Sequence, residues 1–222
     1  MNEQTAVLIG ASGLIGNHLV EQLLHDDYFG TVRVLVRRGL AFNHPKLQQV
    51  IVNFNSINDY TTKFGKGNII FCSVGTTQKK VKGDKVAYEK IDHGIPVNAA
   101  QIGVDKDFKK FLIVSSIGAN PISNNFYLRL KGKVEKDIKL FPFNSISIFR
   151  PSMLLGKRDE SRPGEKAGQI FMQAVSFLFF GRFKKYHPAS AADVAKAMIA
   201  QSKKEEPGIH ILEYPEMKEL FS

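Results

Sequence analysis

The segment Ala6-Val-Leu-Ile-Gly10-Ala-Ser-Gly13-Leu-Ile-Gly16 constrains this chain more than any other. An apolar run with the character of a buried strand leads into three glycines spaced G-x-x-G-x-x-G. An amphipathic stretch, Leu14 to Leu24, follows. In a strand–turn–helix unit of this kind, bare backbone N–H groups and the positive end of the helix dipole converge on one point and make an anion site. A pyrophosphate fits there. Gly10 permits the tight turn, Gly13 lets the backbone approach the phosphates, and Gly16 lets the helix pack closely on the sheet. Ser12, Leu14 and Ile15, between these glycines, are expected to contribute to the same cradle.

Strand-like and helix-like runs alternate beyond this unit. Strands are expected at Ala6–Ile9, Val32–Val36, Gln49–Val52, Ile69–Ser73, Phe111–Ser115 and Ser145–Phe149. Helices are expected at Leu14–Leu24, Ser56–Phe64, Val86–Ile102, Asn125–Leu140, Glu165–Phe180 and Ala191–Ser202. The strands are short and apolar on both faces, as parallel strands covered by helices are. The alternation predicts an α/β fold with a doubly wound parallel sheet. Pro96 either opens a helix at its first turn or kinks a longer one. Ser190 and Asp193 are candidates to cap the helix that follows them. At 222 residues the chain is expected to be a single domain. Residues 151–222, richer in loops after Arg150, are expected to supply a substrate-side lobe, and Phe171, Phe177, Phe179 and Phe180 to serve as core.

The composition narrows the function classes. Hydrophobic content of 43% is enough for a full core, and no run approaches the length of a membrane span. One cysteine, Cys72, leaves no internal disulfide, and it lies in an apolar strand as an inert thiol. The six histidines show no metal spacing, so no metal is expected. No signal peptide is apparent, and a cytoplasmic protein is expected, as monomer or homodimer. The net charge of +10 is spread along the chain apart from Lys79-Lys80-Val81-Lys82-Gly83-Asp84-Lys85. Without a continuous basic helix face or aromatics between the lysines, the charge suits a cofactor with several phosphates better than nucleic acid.

Several residues carry candidate chemistry. The second strand ends in Arg37-Arg38, where an NAD site would carry an acidic residue for the ribose hydroxyls. Arginine pairs with a 2′-phosphate, so NADPH is the expected cofactor, with Arg37 the main contact and Arg38 a second. Asn53 and Phe54, at the end of the third strand, would lie beside the adenine. Ser73, Val74, Gly75 and Thr76 are small enough to flank the middle of the cofactor, and Pro151 and Met153 would stand beside the nicotinamide. Ser115-Ser116 closes the fifth strand, and Tyr127 and Lys131 follow at i, i+4 on one helix face. A lysine there favours the phenolate, so Tyr127 can exchange a proton with an alcohol or carbonyl oxygen, and a serine can polarise that oxygen. Arg162 anchors a substrate or, preferably, pairs within its own loop.

Together these motifs resemble the short-chain dehydrogenase/reductase superfamily in its atypical branch. The likeness rests on the glycine turn, Phe71-Cys-Ser-Val-Gly75-Thr-Thr77, Ser115-Ser116, Tyr127-Leu-Arg-Leu-Lys131-Gly-Lys-Val-Glu135, and Phe149-Arg-Pro151 continuing to Glu160-Ser-Arg-Pro-Gly-Glu165. More narrowly, the chain is similar to oxidoreductases related to the HIV Tat-interactive protein. The resemblance implies a Rossmann fold, bound NADPH (Ser115, Tyr127 and Lys131 among its contacts) and catalytic roles for Ser116, Tyr127 and Lys131, with Ser115 the alternative serine. It implies reduction of a carbonyl-type small molecule, or alternatively an NADPH-binding regulatory protein without significant turnover.

Overall fold

The computed structural model describes residues 4–77, 81–152, 154–155 and 187–221. Seven strands form the main sheet: β1 (Gln4–Ile9), β2 (Phe29–Val36), β3 (Leu47–Ile51), β4 (Ile69–Cys72), β5 (Lys110–Val114), β6 (Ser145–Phe149) and β9 (Gly208–Leu212). Their order is β3-β2-β1-β4-β5-β6-β9, and every neighbouring pair is parallel. A second, two-stranded sheet pairs β7 (Leu154–Leu155) with β8 (Ala189–Ser190). The chain starts in the middle of the main sheet, steps outward to β2 and β3, then returns to the other side of β1 through β4. A crevice opens at that reversal, beyond the carboxyl ends of β1 and β4.

Alternation along the strands divides the core in two. Ala6 and Leu8 face one side with Val34, Phe71 and Phe149, under α1 (Leu14–Leu24), α6 (Ala191–Lys203) and α7 (Tyr214–Phe221). Val7 and Ile9 face the other with Ile70, Phe111 and Ile148, under α2 (Ile57–Phe64), α4 (Ile95–Asp105) and α5 (Phe126–Ile138). The doubly wound expectation therefore holds.

The expected helix across Val86–Ile102 is α3 (Lys85–Glu89), a π turn (Lys90–Gly94) and α4 in unbroken succession. Pro96 takes the first turn of α4, where its missing N–H is least costly. Ser190, not Asp193, caps α6: its Oγ accepts the Asp193 N–H at 3.0 Å, and Asp193 lies in the first turn.

The C-terminal part of residues 151–222 joins the main layers. Val194, Ala197 and Met198 of α6 are buried in the α1-side core, and β9 extends the main sheet. The apolar face of α6 packs against α1 and α7 as well as against that side of the sheet. Lys110, buried at the start of β5, fastens this part further by donating to Ser202 O, Lys204 O and Glu205 Oε1 at 3.0, 2.9 and 2.8 Å. The expected helix Glu165–Phe180, with Phe171, Phe177, Phe179, Phe180 and Arg162, lies outside the described residues.

Two contacts yield checks. A Cβ on Gly132, in α5, would stand 2.2 Å from the Asn120 carbonyl carbon and 2.3 Å from Pro121 N, while one on Gly94 would meet nothing within 4 Å. Gly132→Ala is expected to lower unfolding free energy by roughly 2 kcal/mol or more, seen as a lower urea midpoint, whereas Gly94→Ala should hold or raise it. A wild-type midpoint for Gly132→Ala would show that the loop yields. Cys72 is fully buried, and burial pushes its thiol up to about 11. The folded chain should therefore be inert to a disulfide reagent at pH 8 and react only on unfolding; rapid native labelling would contradict its placement.

Candidate functional site

The glycine turn is closed by backbone geometry. Gly10 holds φ +94°, a conformation that disfavours a side chain, and a Cβ there would lie 2.7 Å from the Ser73 carbonyl carbon. Gly13 N donates to Gly10 O at 2.9 Å, and Ser73 Oγ donates to the same oxygen at 3.2 Å. At Gly16 a Cβ would fall 2.0 Å from Gly10 O, so the close packing made possible by this glycine is against the turn itself. Gly13 is the N-cap of α1, with no side-chain cap and no acid in the first turn. Helices α2, α5 and α6 instead have Ser56, Asn125 and Ser190 as caps. The α1 N-terminus thus keeps its unpaired N–H groups and its positive dipole end for an anion.

A cavity of about 870 Å³ lies over this turn, a size suited to a small organic ligand. Of the residues singled out from sequence, Gly10, Ser12, Gly13, Arg37, Asn53, Phe54, Ser73, Val74, Gly75 and Thr76 line it. Leu14, Ile15 and Gly16 do not: Ile15 and Gly16 are buried and Leu14 packs on the core, because the first turn of α1 directs its side chains back toward the sheet. Arg38, like Arg37, is exposed, but it is off the lining. Phe54 packs edge-on against Tyr60, with ring centroids 4.9 Å apart.

Sequence reasoning missed the α2 side of this cavity. Asp59 and Lys63 line it, paired at 2.8 Å, and Asp59 also accepts Asn53 N–H at 2.8 Å. The Lys63 bond, followed by the Asn53 bond, holds the Asp59 carboxyl below its ordinary range. The i, i+4 spacing of the pair was readable; its direction into the cavity was not.

The serine, tyrosine and lysine lie beyond the lining, at the ends of β5 and on α5. Lys131 Nζ is 5.9 Å from the Tyr127 ring centroid; Lys131 is buried and Tyr127 is 38% exposed. Ser115 and Ser116 are both buried but differ in their bonds. Ser115 Oγ donates to Glu135 Oε1 at 2.5 Å, while Ser116 Oγ donates to the neighbouring Ile117 O at 3.3 Å. Arg150 grips Glu135 through Nε at 2.9 Å and Nη2 at 2.5 Å. Glu135 continues the Tyr127, Lys131 spacing by one more turn, a signal present in the sequence but silent without its partners. Pro151 is buried after β6, its carbonyl accepting Ile117 N–H at 3.0 Å. Met153 lies outside the described residues. Lys131 Nζ stands 3.2 Å from Asp92 Oδ2, another residue the sequence did not single out. Among the described residues no group of side chains is arranged to hold a metal ion, and no helix is long and apolar enough to cross a membrane.

Comparison with known proteins places this geometry in a lineage. The model of the HIM1 family matches residues 42–180. Protein HTATIP2 of Rattus norvegicus is 33% identical over 178 residues, covering 79% of this chain and 73% of the relative. Protein FMP52, mitochondrial, of Meyerozyma guilliermondii is 32% identical over 194 residues, covering 87% and 83%. The name of this and other fungal relatives overturns the expectation of a cytoplasmic protein. A lone cysteine and the lack of a spanning run suit a mitochondrial interior equally well, so composition had no power to separate the two.

Among solved structures, a UDP-N-acetylglucosamine 4-epimerase from Methanobrevibacter ruminantium superposes with a TM-score of 0.71 at 18% identity, covering 96% of this chain and 77% of the epimerase. MoeE5 in complex with UDP-glucuronic acid and NAD superposes with a TM-score of 0.70 at 16% identity, covering 94% and 75%. At these identities the likeness establishes the Rossmann fold. By its family match and its identity to HTATIP2 over most of its length, the chain belongs to the HIM1 family.

Proposed function

We propose that this chain is an NADPH-dependent oxidoreductase that reduces a carbonyl-type small molecule through Ser116, Tyr127 and Lys131. One observation carries the cofactor half of the reading. The uncapped N-terminus of α1 opens onto a cavity at the sheet's reversal, and the rim beside β2 carries Arg37 where an acidic residue would disfavour a 2′-phosphate. MoeE5, a protein of the same fold, has been solved in complex with NAD.

The fit can be followed residue by residue. The backbone of Gly10 to Gly13 holds the pyrophosphate, and a side chain at Gly10 would obstruct the turn. Arg37 pairs with the 2′-phosphate; Asn53 and Phe54 wall the adenine; Ser73 to Thr76 flank the middle of the molecule. NADPH held here would supply the hydride that adds to the substrate carbon. Ser116 orients the carbonyl oxygen, and Tyr127 gives it the proton. Ser116 is favoured over Ser115 because the Ser115 hydroxyl is committed to Glu135. Lys131 supplies positive charge beside Tyr127 and a donor for the ribose.

Nicotinamide fluorescence on the purified chain tests the cofactor reading. NADPH should bind at least about tenfold more tightly than NADH, and Arg37→Ala should remove that preference, as expected for loss of a charge-assisted contact of about 1.5 kcal/mol or more. Equal affinities, or an unaffected Arg37→Ala, would overturn the 2′-phosphate assignment. Tyr127→Phe should keep NADPH affinity and lose turnover on a panel of aldehydes and ketones. Tight NADPH binding with no turnover by the wild type on that panel would instead favour a regulatory role.

A further inference from the structure

The π turn at Lys90–Gly94 carries a carboxylate that nothing in the proposed reaction has used. Such turns recur at functional positions. Asp92 lies within it and is fully buried, a rare state for an aspartate unless it is paired. Its two oxygens serve different elements. Oδ1 accepts the Thr76 N–H at 2.7 Å, and the Thr76 carbonyl in turn accepts the Tyr88 hydroxyl at 3.0 Å. Oδ2 faces Lys131 Nζ at 3.2 Å, its ion-pair partner. A Cβ on Gly75 would sit 3.8 Å from this same oxygen, so the carboxylate lies directly behind the cavity wall.

We propose that Asp92 is a positioning residue: its carboxylate ties Lys131 to the Gly75–Thr76 wall of the cavity, so that the ammonium stands ready for the ribose of the nicotinamide half. The inference rests on the reading of Lys131 as part of an NADPH site. It accounts for two features together: the π turn and the full burial of a carboxylate.

The groups acting on Lys131 are Asp92 from the π turn, Cys72 from β4 and Tyr127 from its own helix. Burial pushes the ammonium down, but Asp92, Tyr127 and Cys72 together outweigh it and hold Lys131 above its ordinary value. Burial pushes the Asp92 carboxyl up, against the opposing pull of Lys131 and the Thr76 N–H. Asp92→Asn keeps the shape and the acceptor for Thr76 but removes the charge. The burial of Lys131 then loses its largest compensation, and its titration must move to lower pH.

The experiment uses the full chain labelled with ¹³Cε-lysine, with the Lys131 resonance identified by its loss in Lys131→Arg. In Asp92→Asn, Lys131 should titrate about one pH unit or more below the wild type, a displacement that loss of packing alone would not produce. NADPH affinity of the variant, followed by fluorescence, should fall about tenfold between pH 7 and pH 10 beyond any change in the wild type. An unmoved lysine titration overturns the tie, and a variant whose affinity follows that of the wild type at every pH overturns the ribose role. Failure of the wild type to bind NADPH overturns the functional reading and the ribose role with it, while the lysine titration still decides the tie. Should Asp92→Asn not fold, Lys131→Met reads the pair from the other side: the Asp92 ¹³Cγ resonance should then titrate at higher pH than in the wild type, and an unchanged value again refutes the pairing.

Discussion

The arrangement of this molecule depends on one close approach, the seating of α1 on the glycine turn. Gly16 leaves no room for a Cβ above Gly10 O, and Gly10 leaves none beside Ser73. These two contacts bring β1, α1 and β4 together at the point where the order of the sheet reverses. They also leave the first turn of α1 without a side-chain cap, so its backbone donors face the cavity. The cavity is therefore a consequence of backbone packing, and the side chains around its rim refine what enters it.

Helix α5 organises the other half of the site through two buried charges one turn apart. Lys131 reaches to Asp92 in the π turn, and Glu135 reaches to Arg150 and Ser115 at the ends of β6 and β5. A buried ion pair adds little net stability, since desolvation offsets much of the attraction. Removing one partner is a different matter, because it strands a charge at a cost of about 3–5 kcal/mol. Such pairs act as locators. Here they set the heights of Ser115 and Lys131 relative to the sheet, and by engaging the Ser115 hydroxyl they distinguish two adjacent serines that are equivalent in sequence.

Much of this was legible in the order of residues alone. The run Ala6 to Gly16 announced its own strand, turn and helix, since glycine spacing and apolar runs are local signals. The apolar strands β1, β4, β5 and β6 stood out for the same reason. Strand β9 did not: Gly208-Ile-His-Ile-Leu is an edge strand with Ile209 and Ile211 exposed at 49% and 41%, so it lacks the continuous apolar signature of a central strand. Helix α7 is eight residues long and depends on its packing against α6. The π turn within the helix from Lys85 to Asp105 has no composition mark, and the assignment of Ser190 as cap in preference to Asp193 needed hydrogen-bond geometry.

The sequence by itself determined the parallel α/β architecture, the place of the glycine turn before α1, and the i, i+4 pairing of Tyr127 with Lys131. Each is encoded within a few residues by backbone sterics or helical periodicity. Only the tertiary structure decided that Arg37 borders the cavity and Arg38 does not, that Asp59 and Lys63 share its rim, that residues 191–221 belong to the main layers, and that Asp92 stands behind Lys131. Asp92 and Lys131 are 39 positions apart in the chain. Their meeting depends on how helices from separate crossovers stack on one face of the sheet, a long-range packing outcome that no local pattern of residue types specifies.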